Sequence, residues 1–250
     1  MDTGSEKVKR IKVLDVPVDA VDPDVAVAAI EELLGNGRHN QLVFLTLRGL
    51  LRARRDPELL RCLRDAALVL PVSLPIVRGA RFLGAGQPHL YNQFEFIIRI
   101  LSIVEKAKGS VYMLGSRKEV LEIAELNLRG SFHGVRVVGR FYGFHAKNAE
   151  GDIVTAIKKS SPSLLLVGTG IAGKDKWLLK HKKELNPGIS LWAGNCFEVF
   201  AGAEKQVSKK LHAAGLGVLS GIARRPWRLA AFFPYLLYLA LLLVYRIFKL

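Results

Sequence analysis

The stretch LLLVGTGIAGKDKW, residues 164–177, decides the fold. It opens with an apolar run that has the composition of a buried strand, and the run stops at a turn containing Gly168, Gly170 and Gly173. A charged segment follows at once and predicts a helix beginning near Ala172. Strand, glycine turn and helix in this order are typical of a parallel α/β sheet.

The same turn predicts a site for an anion. Glycines permit positive φ and close approach of the backbone, and the unpaired N–H groups and positive dipole at a helix start stabilise a phosphate. Lys174 would add positive charge, Asp175 would accept a hydrogen bond from a ligand hydroxyl, and Trp177 would pack on the sheet. Because a Gly-x-Gly turn is a weak signal, an ordinary tight βα turn is an equal alternative.

Five other apolar runs have the same character, and helical segments separate them. The runs are continuous rather than alternating in polarity, as expected of strands that are covered on both faces. Asp22 and Pro23 predict the start of a helix that Gly35 ends, and helical periodicity recurs over 94–109 and 118–130. The pattern predicts an α/β fold whose ligand lies at the carboxyl ends of parallel strands. The five runs are LVFL (42–45), LVLP (68–71), SVYMLG (110–115), VRVVG (135–139) and ISLWAG (189–194).

Two further strand ends carry glycine turns of the same kind. MLGSRKEV has Gly115 and Ser116 between a strand and a helix, and LWAGNCFEVFAG has Gly194 and Asn195 in the same position. Three such turns in one parallel sheet would line one rim, because the carboxyl ends of parallel strands meet at the same edge. They predict a nucleotide or sugar-nucleotide ligand.

Composition favours an anionic partner and a reduced interior. The chain has 250 residues, 50% of them hydrophobic, and a net charge of +15, an excess typical of proteins that bind phosphates, lipid surfaces or nucleic acid. Cys62 and Cys196 have no metal-like spacing, so both are interpreted as reduced packing residues. The start of the chain has no long apolar stretch, so no signal peptide is expected.

The composition changes near residue 201, and the sequence predicts a domain over 1–200 and a C-terminal appendage over 201–250. The appendage holds eight Lys or Arg against one acid, and it contains a run of 17 uncharged residues, 229–245. A spanning helix needs about 20 apolar residues, with about 17 as the lower limit. Aromatic rings and flanking cations suit a membrane interface, so we expect membrane association, either spanning or interfacial. A buried helix that packs on the domain is the alternative.

An ordered series of motifs resembles the WecG/TagA/CpsF family of bacterial glycosyltransferases. ARRDPELLRCLRDAALVLP resembles the family's "AR.DPEL…AdLVlPDG" stretch, and SPSLLLVGTGIAGKDKW resembles "P.ilfVGlG.PkQE.W". VYMLGSRKEV, VVGRFYGF and the opening VLDVPVDAVDPDVAVAAIEELL are similar to further family segments. The resemblance covers roughly residues 11–229.

The resemblance implies a Rossmann-like domain with an appendage and an activity at the cytoplasmic face of the bacterial inner membrane. It implies transfer of a hexose, typically N-acetylmannosamine, from a UDP-sugar to a sugar on a polyprenyl diphosphate, in cell-surface polysaccharide synthesis. It also implies inversion at the sugar, with no cofactor and no essential metal. The three glycine turns would bind the donor, and Arg224, Arg225 and Arg228 would meet the acceptor diphosphate or the membrane.

The chain departs from the family pattern at the catalytic positions. The family's proposed general base is an Asp in an Asp-Gly pair, which Val72 and Ser73 replace here. Valine cannot take a proton, and serine is a poor base without an activating partner. Other positions also depart from the pattern. Thr46 stands in place of an Asn-containing stretch, and Leu90, Gln93 and Glu95 stand at the three defined positions of "R..G.D". Lys174 replaces the Gln of "PkQE", and Gly221 replaces a basic residue.

Two accounts follow from these substitutions. In the first, the enzyme is active and Glu95 is the candidate base, with Asp65 and His145 behind it, although Glu95 also suits a helix cap. In the second, the chain no longer catalyses and binds a nucleotide sugar or lipid-linked intermediate, or scaffolds a partner glycosyltransferase. A homo-oligomer is open in both accounts. Nucleic-acid binding ranks last, because it rests on charge alone.

Overall fold

A computed structural model describes residues 8–205 and 233–248. Its strands, in chain order, are β1 (Lys9–Val13), β2 (Val16–Ala20), β3 (His39–Leu45), β4 (Leu68–Pro71), β5 (Ser110–Leu114), β6 (Arg136–Phe141), β7 (Leu164–Gly168) and β8 (Gly188–Gly194). The last six form one parallel sheet in the order β4-β3-β8-β7-β5-β6, and β1 and β2 form an antiparallel hairpin. The predicted α/β class and all six predicted strands are confirmed.

Helices connect the strands as the alternating pattern predicts. They are α1 (Pro23–Gly35), α2 (Leu47–Ala53), α3 (Pro57–Asp65), α4 (Leu74–Phe82), α5 (Gln93–Lys106), α6 (Lys118–Ser131), α7 (Glu150–Ser160), α8 (Asp175–His181), α9 (Cys196–Phe200) and α10 (Phe233–Phe248). The predicted bounds of α1 are confirmed with Asp22 at the N-cap position, but its side chain makes no capping hydrogen bond.

The hairpin of β1 and β2 was not predicted from the sequence. Its turn residues Leu14 and Asp15 both have positive φ, of 51° and 67°. Tight hairpin turns of this kind are usually recognised by Asn-Gly or Asp-Gly, and neither pair is present here. The hairpin is tied to the sheet by Asp19, which pairs with Arg10 and accepts the Val69 N–H of β4 at 2.6 Å.

Alternate residues of each central strand face two different cores. Leu42 and Phe44 of β3 pack in a cluster with α1, α5 and α6. Val43 and Leu45 pack on the other face with the hairpin, α2, α3 and α4. Helices α7 and α8 cover β5 and β7 on that second face. Burial on both faces is the reason why the strand sequences are continuous apolar runs.

Both cysteines are free and buried, as the sequence analysis expects. Burial raises the pKa of the Cys62 thiol to about 12, and it raises the pKa of Cys196 further. Neither thiol is therefore a reactive thiolate near neutral pH.

Helix α10 docks one face on the domain and exposes the other. Tyr238 and Leu242 are buried against α4, and the Tyr238 hydroxyl donates to the Pro75 carbonyl at 3.1 Å. Arg54, the residue that caps the end of α2, donates to the Tyr245 hydroxyl at 3.0 Å. Across the residues that the structure describes, no helix combines the length and apolarity needed to cross a bilayer.

Helix α10 therefore has one face that packs on the domain, as the alternative of a packing helix predicts, and one face that stays exposed; membrane contact by that face remains a prediction. The exposed face carries a stripe of apolar residues spaced three or four apart, as one face of a helix requires. The exposed fractions along the stripe are Leu236 64%, Leu239 56%, Leu243 55% and Ile247 71%. Residues 206–232 of the appendage, which include Arg224, Arg225, Arg228 and Gly221, lie outside the described residues.

Candidate active site

The three glycine turns lie at one rim of the sheet. Strands β8, β7 and β5 are neighbours in the sheet and run parallel, so their carboxyl ends meet at one edge. Gly168 and Gly194 are direct register partners there. The expectation of a shared rim is thus met by the topology.

Backbone contacts join these turns tightly. A Cβ on Gly115 would lie 2.8 Å from the Gly168 carbonyl carbon, and one on Gly168 would lie 2.6 Å from the Phe197 ring. The Ser116 N–H donates to the Thr169 carbonyl at 2.6 Å. A Cβ on Gly170, whose φ is +83°, would meet the Phe144 ring at 2.7 Å. The close approach that glycine permits is used here between loops of the protein itself.

The Glu198 side chain of α9 hydrogen-bonds to the turns that follow β5 and β7. Its Oε1 accepts from the Ser116 hydroxyl at 2.8 Å and from the Thr169 hydroxyl at 2.6 Å. Its Oε2 is buried and has no hydrogen-bond partner in the described part of the chain. Sequence reasoning missed Glu198, because its position in α9 gives no sign that the hydroxyls from the ends of β5 and β7 converge on it.

The helix after β7 begins later than predicted. Helix α8 starts at Asp175 rather than near Ala172, because Gly173 and Lys174 both have positive φ, of 87° and 54°. The Lys176 N–H already donates to the Gly173 carbonyl, and the Trp177 N–H donates to the Lys174 carbonyl. These amides are therefore used by the turn, and side-chain cations rather than helix amides supply the positive charge nearby. Trp177 packs against the sheet as predicted.

A cleft of about 390 Å³ opens beside the rim, at the carboxyl ends of β3 and β8. It is lined by the end of β3, by α2, by Leu59 and Leu63 of α3, by Gln93 at the start of α5, by the segment 173–176 and by Trp192. Its charged lining residues are Arg48, Arg52, Lys174, Asp175 and Lys176. Cations therefore outnumber acids in a concave site at the sheet edge where ligands of α/β proteins bind.

Two of these cations make no salt bridge among the described residues. Lys176 pairs with Glu58 at 2.6 Å, and Arg52 lies 3.6 Å from Asp56. Arg48 and Lys174 make no ion pair in the described ranges, and the Lys174 ammonium lies 5.6 Å from the centre of the Trp192 ring. These two cations are available to an anionic ligand.

Three of the positions that depart from the family pattern line this same cleft: Thr46, Gln93 and Lys174. The Thr46 hydroxyl caps α2 by accepting the Gly49 N–H at 3.1 Å. Gln93 donates to the Trp192 carbonyl at 3.0 Å. The substitutions therefore cluster in space although they are far apart in sequence.

The other predicted donor residues do not line the cleft. Gly115, Ser116, Gly168 and Gly170 take part in the loop packing of the rim, and Ser116 is fully buried. Gly194 has a φ of +60° and faces the Gln93 side chain, while the Asn195 amide contacts the Glu204 carboxylate. Donor binding by these residues remains a prediction.

The position that would carry the family's catalytic Asp is apolar and packed. Val72 lies against the core cluster of α1 and α5, and its N–H donates to the Leu45 carbonyl at 3.0 Å. The neighbouring Ser73 hydroxyl accepts the Leu47 N–H at 3.1 Å, which holds the start of α2. Neither residue offers a free proton acceptor.

Each candidate base from the sequence lies outside the lining of the cleft. Glu95 is in the first turn of α5, where its N–H and carboxylate both contact the Asn92 side chain that caps the helix. Asp65 ends α3 and faces Arg61 at 3.8 Å. His145 lies in the loop after β6, with its ring against Phe141.

Asp175 is the carboxylate that the cleft does contain. Its Oδ1 is buried and has no hydrogen-bond partner in the ranges described. Its backbone carbonyl accepts from the Gln41 amide at 3.0 Å and from the Cys62 thiol at 3.4 Å, which fixes the start of α8. Burial raises the pKa of the Asp175 carboxyl to about 7.

Within the described residues, no three His, Cys, Asp or Glu side chains come together in a way that could hold a metal ion.

Comparison with known proteins identifies the family. Residues 11–249 match the model of the glycosyl transferase WecG/TagA/CpsF family, so the chain belongs to this family of glycosyltransferases. The match includes α10 as well as the parallel sheet.

The chain is similar to curated enzymes named N-acetylglucosaminyldiphosphoundecaprenol N-acetyl-beta-D-mannosaminyltransferase. Those of Staphylococcus aureus strains NCTC 8325 / PS 47 and COL are 23% identical over 199 residues, which is 79% of this chain and 78% of each relative. That of strain MRSA252 is 22% identical over the same length. These names describe transferases and give no support to the alternative of an inactive binding protein.

Proposed function

We propose that this protein transfers a hexose of the N-acetylmannosamine type from a UDP-sugar to a sugar carried on a polyprenyl diphosphate. The reaction takes place at the surface of the bacterial inner membrane, on its cytoplasmic face. The observation that carries the proposal is the cation-lined cleft at the sheet edge, which adjoins a second groove that reaches the apolar helix α10.

The donor diphosphate binds in the cleft through Arg48 and Lys174. Neither cation makes a salt bridge in the described ranges, so neither has to give up a close ion pair to bind a ligand. Charge-assisted hydrogen bonds from such groups are the strong ones that phosphates make. The cations also stabilise the negative charge that develops on the departing nucleotide.

The acceptor approaches along the second groove, which has a volume of about 430 Å³. This groove shares Arg48 and Arg52 of α2 with the cleft, and Arg55, in the turn after α2, extends the basic row. Phe233 and Leu237 of α10 form its apolar wall. A basic row facing an apolar wall suits a lipid diphosphate, and we propose that it acts together with Arg224, Arg225 and Arg228.

A transfer assay with the full chain tests the proposal. We expect transfer from UDP-N-acetylmannosamine to polyprenyl-diphosphate-linked N-acetylglucosamine, and we expect it to persist in EDTA. The double variant R48A/R52A removes two cations that face both grooves, so its KM for the lipid acceptor should rise about tenfold or more, in line with about 1.5–3 kcal/mol for a hydrogen bond to a charged group.

R61A is the matched control, because Arg61 is an exposed arginine of α3 that does not line either groove. Its KM should stay within about twofold of the unmodified protein. UDP should also raise the midpoint of thermal unfolding, since a ligand that binds only the folded state stabilises it. A protein that neither binds UDP nor transfers a sugar would refute the function.

The exposed stripe of α10 is the membrane contact. It lies beside Phe82 of α4, which is 45% exposed, and the Arg246 guanidinium lies 5.9 Å from the centre of that ring. A helix with one docked face and one exposed apolar face binds in the plane of the interface, and nearby cations add attraction to anionic lipid.

The variant L239E/L243E is expected to lose binding to anionic vesicles by about 100-fold or more. Burying one leucine side chain contributes about 1.5–3 kcal/mol, and glutamate also repels the anionic surface. Cosedimentation with phosphatidylglycerol vesicles measures the effect. L126E is the control, because Leu126 of α6 is 68% exposed but remote from α10. Equal binding of both variants would show that the stripe does not contact lipid.

A further inference from the structure

The cleft contains one side chain that can act as a proton acceptor near neutral pH. Among the described lining residues, Asp175 is the only carboxylate and there is no histidine. The other charged groups that line the cleft are the cations Arg48, Arg52, Lys174 and Lys176. A transfer to a sugar hydroxyl needs a group that accepts the hydroxyl proton.

The hydrogen-bond state of Asp175 points to the same role. Its Oδ1 is shielded from water and lacks a donor in the described part of the chain, which is a costly arrangement for a carboxylate. The carbonyl contacts from Gln41 and Cys62 hold the backbone of Asp175 in place. Rotation of the side chain toward the cleft, which Asp175 lines, would let an acceptor hydroxyl supply the missing donor.

We propose that Asp175 is the general base of this transferase, a role that rests on the proposed function. The acceptor hydroxyl oxygen attacks the anomeric carbon of the donor, and its proton passes to the Asp175 carboxylate. The bond from the anomeric carbon to the β-phosphate oxygen breaks, and UDP leaves with the electron pair. Arg48 and Lys174 face the departing diphosphate. Because the acceptor oxygen attacks on the side opposite the leaving group, the single displacement inverts the anomeric centre.

The surroundings of Asp175 set the pH dependence. Burial disfavours the ionised form, whereas the Asp175 backbone N–H, the Lys174 charge and the Gln41 amide favour it, with the balance at a pKa of about 7. A carboxylate base must be ionised to act, so kcat should fall about tenfold per pH unit below about 7 and level off above it. The charged groups nearest in the chain are Lys174 and Lys176, and Arg48 and Arg52 of α2 line the same cleft. Helix α3 and its N-cap contribute the Cys62 thiol and the two carboxylates that pair with Lys176, Asp56 and Glu58.

The test compares D175N with E95Q in the full chain, because each variant changes one carboxylate to an amide. D175N should lower kcat by about 10²–10⁴-fold and should remove the fall of kcat below neutral pH. Its Kd for UDP, measured by calorimetry, should change by less than about threefold. E95Q should keep kcat within about threefold, since Glu95 does not line the cleft.

The possible outcomes test the assignment of Asp175 as the base separately from the proposed transferase function. Transfer by D175N at nearly the unmodified rate would overturn the assignment of the base while leaving the function intact, and loss of transfer in E95Q alone would place the base on α5. An unmodified protein without UDP binding or transfer would overturn both. If D175N does not fold, the pH profile of the unmodified protein decides, and a kcat that does not change between pH 5 and 8 would refute the assignment.

Discussion

Replacing Asp19 by alanine is expected to lower the free energy of unfolding by about 3–5 kcal/mol, because it breaks a buried ion pair from one side. The Asp19 side chain is fully buried and binds Arg10 through both oxygens, at 2.7 and 2.8 Å. It also accepts the Val69 N–H. The variant would leave a half-buried guanidinium and a backbone donor without their carboxylate.

The effect should spread beyond the hairpin. The Arg10 guanidinium also donates to the carbonyls of Arg64, Ala66 and Ala67, which connect α3 to β4. Loss of Asp19 would therefore loosen both the hairpin and the edge of the sheet. Urea unfolding monitored by circular dichroism measures the change.

Two further variants serve as comparisons for D19A. D19N keeps an oxygen for the Val69 N–H and loses only the charge, so its loss should be smaller than that of D19A. D24A removes a fully exposed aspartate that lies 3.6 Å from Arg99, and it should change stability by less than about 0.5 kcal/mol. Equal stability of D19A and D24A would contradict the role of the hairpin anchor.

Replacing Gly115 by alanine is expected to destabilise the rim and to weaken UDP binding. Gly115 has a φ of +119°, and its Cβ would lie 2.8 Å from the Gly168 carbonyl carbon and 2.8 Å from the Thr169 carbonyl oxygen. Both are backbone atoms and cannot turn aside. The strained φ costs about 1–3 kcal/mol and the overlap a similar amount.

The functional part of the Gly115 prediction follows from the contacts of the turn. Separating the loops after β5 and β7 would break the Ser116 to Thr169 hydrogen bond and shift Glu198. The loop after β7 leads directly to Lys174, so a shift there would also move the cleft. Thermal unfolding with and without UDP measures both effects.

G130A is the control for the Gly115 variant. Gly130 lies in α6, and a Cβ there would meet no atom within 4 Å. Alanine should stabilise that helix by up to about 1 kcal/mol. A G115A protein as stable as G130A, with the same UDP response, would show that the packing of the turns is not tight.

The strand sequences made the parallel sheet predictable, whereas the hairpin of β1 and β2 could not be predicted from the sequence. The six runs are apolar throughout because both faces are covered, and such runs stand out in a sequence. The turn at Leu14 and Asp15 takes positive φ with residues that rarely do so, and burial of Leu14 in the second core holds it there. Tertiary packing overrides local preference at this point.

The glycine turns were predicted as a ligand site, and their common rim was predicted correctly. The local pattern could not show that these turns pack against one another. The open cleft therefore lies further along the same edge of the sheet, at the ends of β3 and β8. Thr46, Gln93, Lys174 and Asp175 line it from three separate segments of the chain. Their approach depends on strand order, which local patterns do not encode.

By itself the sequence determined the α/β class, the strands, the family resemblance and a basic, apolar tail. These features depend on local periodicity and on ordered motifs, both of which are readable along the chain. Only the tertiary structure decided which carboxylate borders the cleft and which face of α10 stays exposed. Both depend on distances between segments remote in sequence, and burial of Asp175 is a property of its neighbours rather than of its own residue type.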